Sequence, residues 1–281
     1  MRLAIVTDST AVIEKAFLEV NPNVYVVPLQ ILFKDQTFDD GIDLTQNQFF
    51  QKLEETSIIP TTSQPSIGKV IELFEELKKD YDQILYITIS SKISGTYNSG
   101  MLAKNKVEGV EIEVFDSLYT SVIQLMYVKE STRMAKEGKT IYEIVSKLEY
   151  LRENSTIYLV VDDLKHLRRT GRINNLGATV GTILKIKPIL KFEKGYINLH
   201  KKVRTLSKAY LDVISIAKEE QFDENTTIML AHANAFQNAV KVKRMLEEIY
   251  PNHTIEITEL SPVISVHTGP NSLGISWLKY R

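Results

Sequence analysis

The sequence predicts an α/β protein: an N-terminal parallel-sheet domain with helices on both faces, plus a second α+β domain packed against it. Three observations lead there. Up to Asn154, short apolar runs rich in Val and Ile alternate with helical stretches, the pattern of a parallel sheet covered on both faces. After Asn154, hairpin signals mix with helices, so the boundary is expected near residue 155, with domains 1–155 and 156–281. Small hydroxyl-rich turns also stand where strands are expected to end: Thr7 to Thr10, Thr61 to Ser66, Ser90 to Tyr97 and Asp116-Ser117, with a fifth turn, His267-Thr268-Gly269-Pro270, near the C-terminus. An open α/β sheet binds its ligand at the carboxyl ends of its strands.

The elements follow in order. Leu3 to Val6 is a continuous apolar run and reads as a buried parallel strand. Residues 11–20 read as a helix. Val24 to Phe33 reads as one strand with Pro28 marking an edge or bulge, and residues 34–43 read as a loop. Thr45 with Gln48 forms a capping box for a helix to Glu55. The Pro60 to Pro65 turn follows, and Ser66 caps a helix through Lys79. Ile84 to Ile89 is a strand running into the SSKISGTY turn, with a helix from near Ser94. Val110 to Phe115 is a strand, followed by a long helix from Tyr119 to Lys136. Thr140 with Glu143 caps another helix, to Arg152.

In the second half, Thr156 to Val161 is a strand. The basic stretch Lys165 to Arg172 leads to a short helix at 174–183. Pro188 to Phe192 and Tyr196 to Lys201 flank Glu193-Lys194-Gly195 as a hairpin. Helices at 206–220 and 235–249 alternate with strands at 226–231 and 254–260. Val263 to Val266 and Ser272 to Trp277 read as two final strands around the His267 turn.

Composition narrows the function. The chain has 281 residues, net charge -1, 43% hydrophobic residues and no cysteine. Disulfide and thiolate chemistry are excluded, and nothing global draws nucleic acid or an anionic membrane. No apolar run approaches the roughly 18 residues a membrane span needs, and Thr7-Asp8 ends the first apolar run too early for a secretory signal. A cytoplasmic protein is expected.

The hydroxyl turns supply neutral donors, so they point to a small anionic head group before they point to catalysis. Thr61 to Ser66 sets hydroxyls and free N–H groups before a helix start, which suits an anion; plain N-capping by Ser66 suits it too. Ser94-Gly95-Thr96 opens a helix after a strand, and Gly95 permits close backbone approach. It is neither a nucleophile elbow nor a phosphate-binding P-loop. His267 stands beside a Gly-Pro turn with no charged neighbour and could donate to a carboxylate. The other four histidines have no metal-ligand spacing with it, and adjacent Asp162-Asp163 point apart, so no metal is assigned. Asp8 and Asp116 read as turn-bonding residues. The basic clusters Lys165/Arg168/Arg169/Arg172 and Lys201/Lys202/Arg204 read as solvated faces or as a docking surface for an acidic or phosphate-carrying partner.

Taken together, these motifs resemble the DegV family. The resemblance runs from Thr7-Asp8-Ser9 to Gly274-Ile275-Ser276-Trp277. It rests on Thr62-Ser63-Gln64-Pro65-Ser66, Ser90 to Tyr97, Asp116-Ser117, Leu167 to Ile173, Lys187-Pro188-Ile189-Leu190 and Val266 to Pro270. It implies a two-domain protein that binds one long-chain fatty acid in an apolar tunnel, with no cofactor. By motif, Thr62, Ser94 and His267 look like the carboxylate contacts, with Thr268 beside them. Ser63 and Gly95 look like neighbours that shape the pocket. Arg172 and Arg204 look like positions near the head group and the partner surface, with Lys202 in the same basic cluster. The resemblance further implies a non-catalytic subunit that presents its fatty acid to a separate ATP-dependent kinase, which forms acyl-phosphate for phospholipid synthesis. The turn after Asp116-Ser117 departs from the family, with Leu118 to Val122 where glycines are frequent. Two other readings stay open: an acyl hydrolase with Ser94 as nucleophile, His267 as base and Asp8 or Asp116 as orienter, and a protein-interaction module using the basic clusters.

Overall fold

A computed structural model describes residues 2–56, 58–174 and 186–280. The first sheet is parallel, in the order β2-β1-β6-β7, from Val24–Val27, Leu3–Asp8, Gln83–Thr88 and Glu111–Asp116. β1 and β6 are buried along their whole length, as strands covered on both faces must be. The second sheet has six strands in the order β10-β9-β8-β13-β11-β12 (Tyr196–Val203, Lys187–Glu193, Ser155–Val160, Ser272–Lys279, Thr226–Ala233, Ile255–Glu259). Only β11 and β12 pair in parallel there; the other neighbours are antiparallel.

A third, small antiparallel sheet corrects three expectations. The expected single strand is two: Pro28 follows β2, which is an edge strand of the parallel sheet as one of the two expected readings has it, and the chain then re-pairs as β3 (Gln30–Phe33). The expected loop at 34–43 contains β4 (Gln36–Asp39), and the expected turn before Ser66 contains β5 (Thr61–Ser63). β3 pairs with both, setting Ile31 opposite Thr62. Thr62 therefore owes its position to a strand ladder rather than to a free turn.

The helix expected at 11–20 is a 3-10 turn at Ser9–Ala11 followed by α1 at Lys15–Val20; Val12 between them has φ 50°. Both capping boxes form, before α2 (Gln46–Glu54) and α6 (Ile141–Glu153). Ser66 caps α3 (Ile67–Leu77), and α4 spans Thr96–Lys104. α5 (Ser121–Lys136) is buried nearly all round because it touches β1 and β6 on one side and β8, β11 and β13 on the other. α7 (Lys165–Thr170) carries most of the basic stretch and ends at Gly171 in the left-handed region. The helix expected at 174–183 lies almost wholly outside the described residues. α8 (Leu206–Glu219) and α9 (Phe236–Ile249) form as expected.

One expected strand is a helix. Val263 to Val266 belongs to α10 (Pro262–Thr268), capped by Ser261, whose Oγ accepts the Ile264 N–H at 3.3 Å. Pro262 at its first position already holds a helical φ, and the run is apolar because α10 is buried on every side. Among the described residues no helix is long and apolar enough to cross a membrane.

Candidate functional site

A cavity opens between the two larger sheets. Ile157 and Leu159 of β8, Gly274 and Ser276 of β13 and Ala231 of β11 line it from one side, with Phe192 and Ile197 of the β9–β10 hairpin. Ile89 and Ile93, the start of α5 and the buried face of α10 line it from the other. Its volume is about 60 Å³. It is therefore a narrow apolar cavity and not a wide chamber.

One group of lining residues is polar. His267 Nε2 lies 2.8 Å from Thr62 Oγ1, which joins α10 to β5. Burial pushes the imidazole pKa down to about 3, and the nearby positive charge of Arg172 and the ring of His166 push the same way. His267 is thus neutral at physiological pH, and its Nδ1 is buried without a partner. His166 supports it from behind: His166 Nδ1 donates to the Val266 carbonyl at 3.0 Å. Gly269, at φ 75°, is needed there, because a Cβ would meet the His166 ring at 2.9 Å.

Arg172 lines the same cavity, held by Nε donating to the Ile93 carbonyl at 3.2 Å. Burial lowers its pKa, but a guanidinium stays charged in any case. It forms no ion pair with another described residue, so it leaves an unneutralised positive charge on a cavity wall. Ser94 Oγ lies 2.9 Å from Thr96 Oγ1, at the start of α4. Gly95 caps that helix without a side-chain bond, and a Cβ there would come within 3.0 Å of the Gln64 amide, so Gly95 lets Gln64 close over it.

Five of the residues singled out in the sequence therefore line one cavity: Thr62, Ser94, Arg172, His267 and Thr268. Ser63 does not; its hydroxyl donates to the Gln64 carbonyl at 3.1 Å. Lys202 and Arg204 are exposed and stand away from the cavity. Lys202 is five residues along β10 from Ile197, about 16 Å at the usual strand rise.

Three further hydroxyls line the cavity, those of Thr120, Ser121 and Ser276, each buried and each without a hydrogen-bond partner. The signal for Ser276 was a lone polar residue in the apolar run Leu273 to Leu278. Thr120 and Ser121 stood in the turn that departs from the family pattern.

The hydrolase arrangement is not assembled. Ser94 bonds Thr96, and His267 bonds Thr62. Asp8 is occupied by Thr10 and Ile89, and Asp116 by the N–H groups of Ser91 and Leu118. Among the described residues no carboxylate orients the imidazole, as a nucleophile–base pair requires. Among the described residues no three His, Asp or Glu gather as a metal site.

Comparison with known proteins agrees with this architecture. The profile of the DegV family, described as uncharacterised proteins, matches residues 2–280. A DegV domain-containing protein of Halalkalibacterium halodurans is 37% identical over 279 residues, covering 98% of both chains. The protein DegV of Bacillus subtilis is 35% identical over 280 residues, covering 99% of both. Its crystal structure, described as that of a fatty acid binding protein, superposes with a TM-score of 0.92 and 99% of each chain covered. A Streptococcus agalactiae structure described as a fatty acid binding DegV family protein gives the same TM-score, at 31% identity and 99% coverage of both. This chain belongs to the DegV family.

Proposed function

We propose that this protein binds one long-chain fatty acid, with the acyl chain along the apolar walls of the cavity as in a tunnel and the carboxylate at Thr62, Ser94 and His267. Thr268 and Arg172 stand beside the head group, and Ser63 and Gly95 hold the turn and Gln64 around it. The observation that carries this reading is the pairing of a narrow apolar cavity with polar groups that include an arginine without an ion pair among the described residues and the 2.8 Å Thr62–His267 bond. Relatives described as fatty acid binding support it.

The chemistry is that of an anion in a dry site. A buried carboxylate must find several donors or it takes up a proton. Thr62 and His267 bond each other at 2.8 Å; a carboxylate placed between them accepts hydrogen bonds from the threonine hydroxyl and the imidazole N–H. Each charge-assisted bond contributes about 1.5–3 kcal/mol. Each buried methylene adds about 0.8 kcal/mol, so the tail supplies most of the affinity and the head group fixes orientation.

The protein is then a cytoplasmic, non-catalytic lipid-binding subunit. It presents the acid to a separate ATP-dependent kinase that forms acyl-phosphate for phospholipid synthesis, with Lys202 and Arg204 on the surface that meets this partner. Residues 1–155 and 156–281 act as two domains that close on the ligand from either side. Native mass spectrometry of the purified protein, followed by denaturing extraction, tests the binding step. A mass excess resolving into one fatty acid is expected. A bare mass that gains nothing after incubation with mixed fatty acids would overturn it.

A further inference from the structure

Three hydroxyls on the cavity wall would be left unused by a plain acyl chain. Thr120, Ser121 and Ser276 keep only 5%, 2% and 1% of their surface exposed, line the cavity, and find no partner for their hydroxyls. Buried hydroxyls almost always find partners. Two further features mark the start of α5. Thr120 is the N-cap of the 16-residue α5 yet makes no side-chain capping bond, so the first-turn N–H groups of α5 are left without one. Ser121, which follows it, is held at φ 54°, a strained setting for a non-glycine residue and one that gathers at ligand sites. Ser276 lies on β13, where it cannot turn to a helix carbonyl as serines in helices do.

Register sets the distance from the proposed head-group site. Ser272 is tied to the His267 turn, its Oγ donating to the carbonyls of Thr268 and Gly269 at 2.8 Å each. Ser276 is four residues further along β13, about 13 Å at the usual strand rise. An extended chain advances about 1.2 Å per bond, so Ser276 stands roughly ten bonds from the carboxylate.

We infer that Thr120, Ser121 and Ser276 form a subsite for an oxygen substituent near the middle of the acyl chain, so that the protein prefers a mid-chain hydroxy or oxo fatty acid to the saturated acid of the same length. The inference rests on the fatty-acid reading above. The hydroxyls can donate to or accept from a ligand hydroxyl, and can donate to a ketone, whereas a methylene leaves all three desolvated and unpaired.

The test is competition, read by native mass spectrometry, between octadecanoic acid and 10-hydroxyoctadecanoic acid on delipidated protein. A preference of about tenfold for the hydroxy acid is expected, falling to near parity in Ser276→Ala and in Thr120→Val. Ser131→Ala is the control: Ser131 is equally buried and unpaired but lies outside the cavity, and its variant keeps the wild-type ratio. Equal binding of the two acids by wild-type protein would overturn the subsite and leave the fatty-acid reading standing. So would a preference that survives both variants. Binding of neither acid would overturn both.

Discussion

Two hydroxyl-rich strand ends look alike in the sequence and do opposite things in the structure. At the end of β1, every group is used. Thr7 Oγ1 donates to the Ile87 carbonyl at 2.8 Å and accepts from Gln124 at 3.0 Å. Asp8 accepts from the N–H groups of Thr10 at 3.1 Å and Ile89 at 2.7 Å, and burial raises its pKa. Nothing there faces the cavity. Around β5 and α10, Thr62, His267 and Arg172 all line an apolar space, and the His267 Nδ1 has no partner. A turn rich in donors is structural when protein atoms consume them and a binding site when they do not. Residue type does not separate the two cases; the closing partner does, and Gln124 on α5 is that partner for the first turn.

The largest effect expected from this contrast is on stability. Asp8→Ala removes the acceptor of two buried N–H groups and of the Thr10 hydroxyl, and is expected to cost about 3 kcal/mol or more in urea unfolding. A loss below about 1 kcal/mol would show that the β1 end does not depend on its internal bonds. Next comes affinity. Thr62→Val keeps the shape of the threonine and removes the hydroxyl, and is expected to weaken fatty-acid binding about 10- to 100-fold, the worth of one charge-assisted bond. Asp8→Ala, in its folded fraction, is expected to bind within a few-fold of wild type, and the reverse pattern would break the comparison.

Acid stability sharpens it further. The unfolded chain protonates His267 near 6.5, but the fold resists protonation until about 3, so this residue makes the protein lose stability as pH falls through that window. Asp40 works against it: burial raises its folded pKa to about 6 from 3.8, so its contribution falls as pH rises between those values. Unfolding at pH 4, 5, 6 and 7 is expected to show a smaller acid-side loss in His267→Gln than in wild type. A pH-independent difference between the two would mean that His267 is not held neutral. The smallest effect belongs to Ser63→Ala. Its hydroxyl bonds only the next residue's carbonyl, and a change within about 0.5 kcal/mol is expected in stability, with affinity hardly moved.

Much of the fold was legible because its signals are local. Fully apolar runs gave β1 and β6, and the Thr45 and Thr140 capping boxes fixed where α2 and α6 begin. The small sheet was missed because its strands are short, polar and held by long-range pairing, as in Ile31 opposite Thr62. α10 was misread because a short apolar run reads equally as strand or helix, although Ser261-Pro262 carried the start signal. At the site, Thr62, Ser94, Arg172, His267 and Thr268 could be singled out by motif. Their convergence could not be seen, because it requires β5, α4, α7 and α10 to meet. Ser276 was hidden for the same reason: only the pairing of β13 between β8 and β11 turns it into the cavity.

The most direct measurement is a crystal structure of the protein with one fatty acid bound. Expected is a carboxylate within hydrogen-bond distance of Thr62, Ser94 and His267, with the tail running toward Ser276. A carboxylate at Thr120 and Ser121, with the tail end at His267, would contradict the assignment of the head-group site.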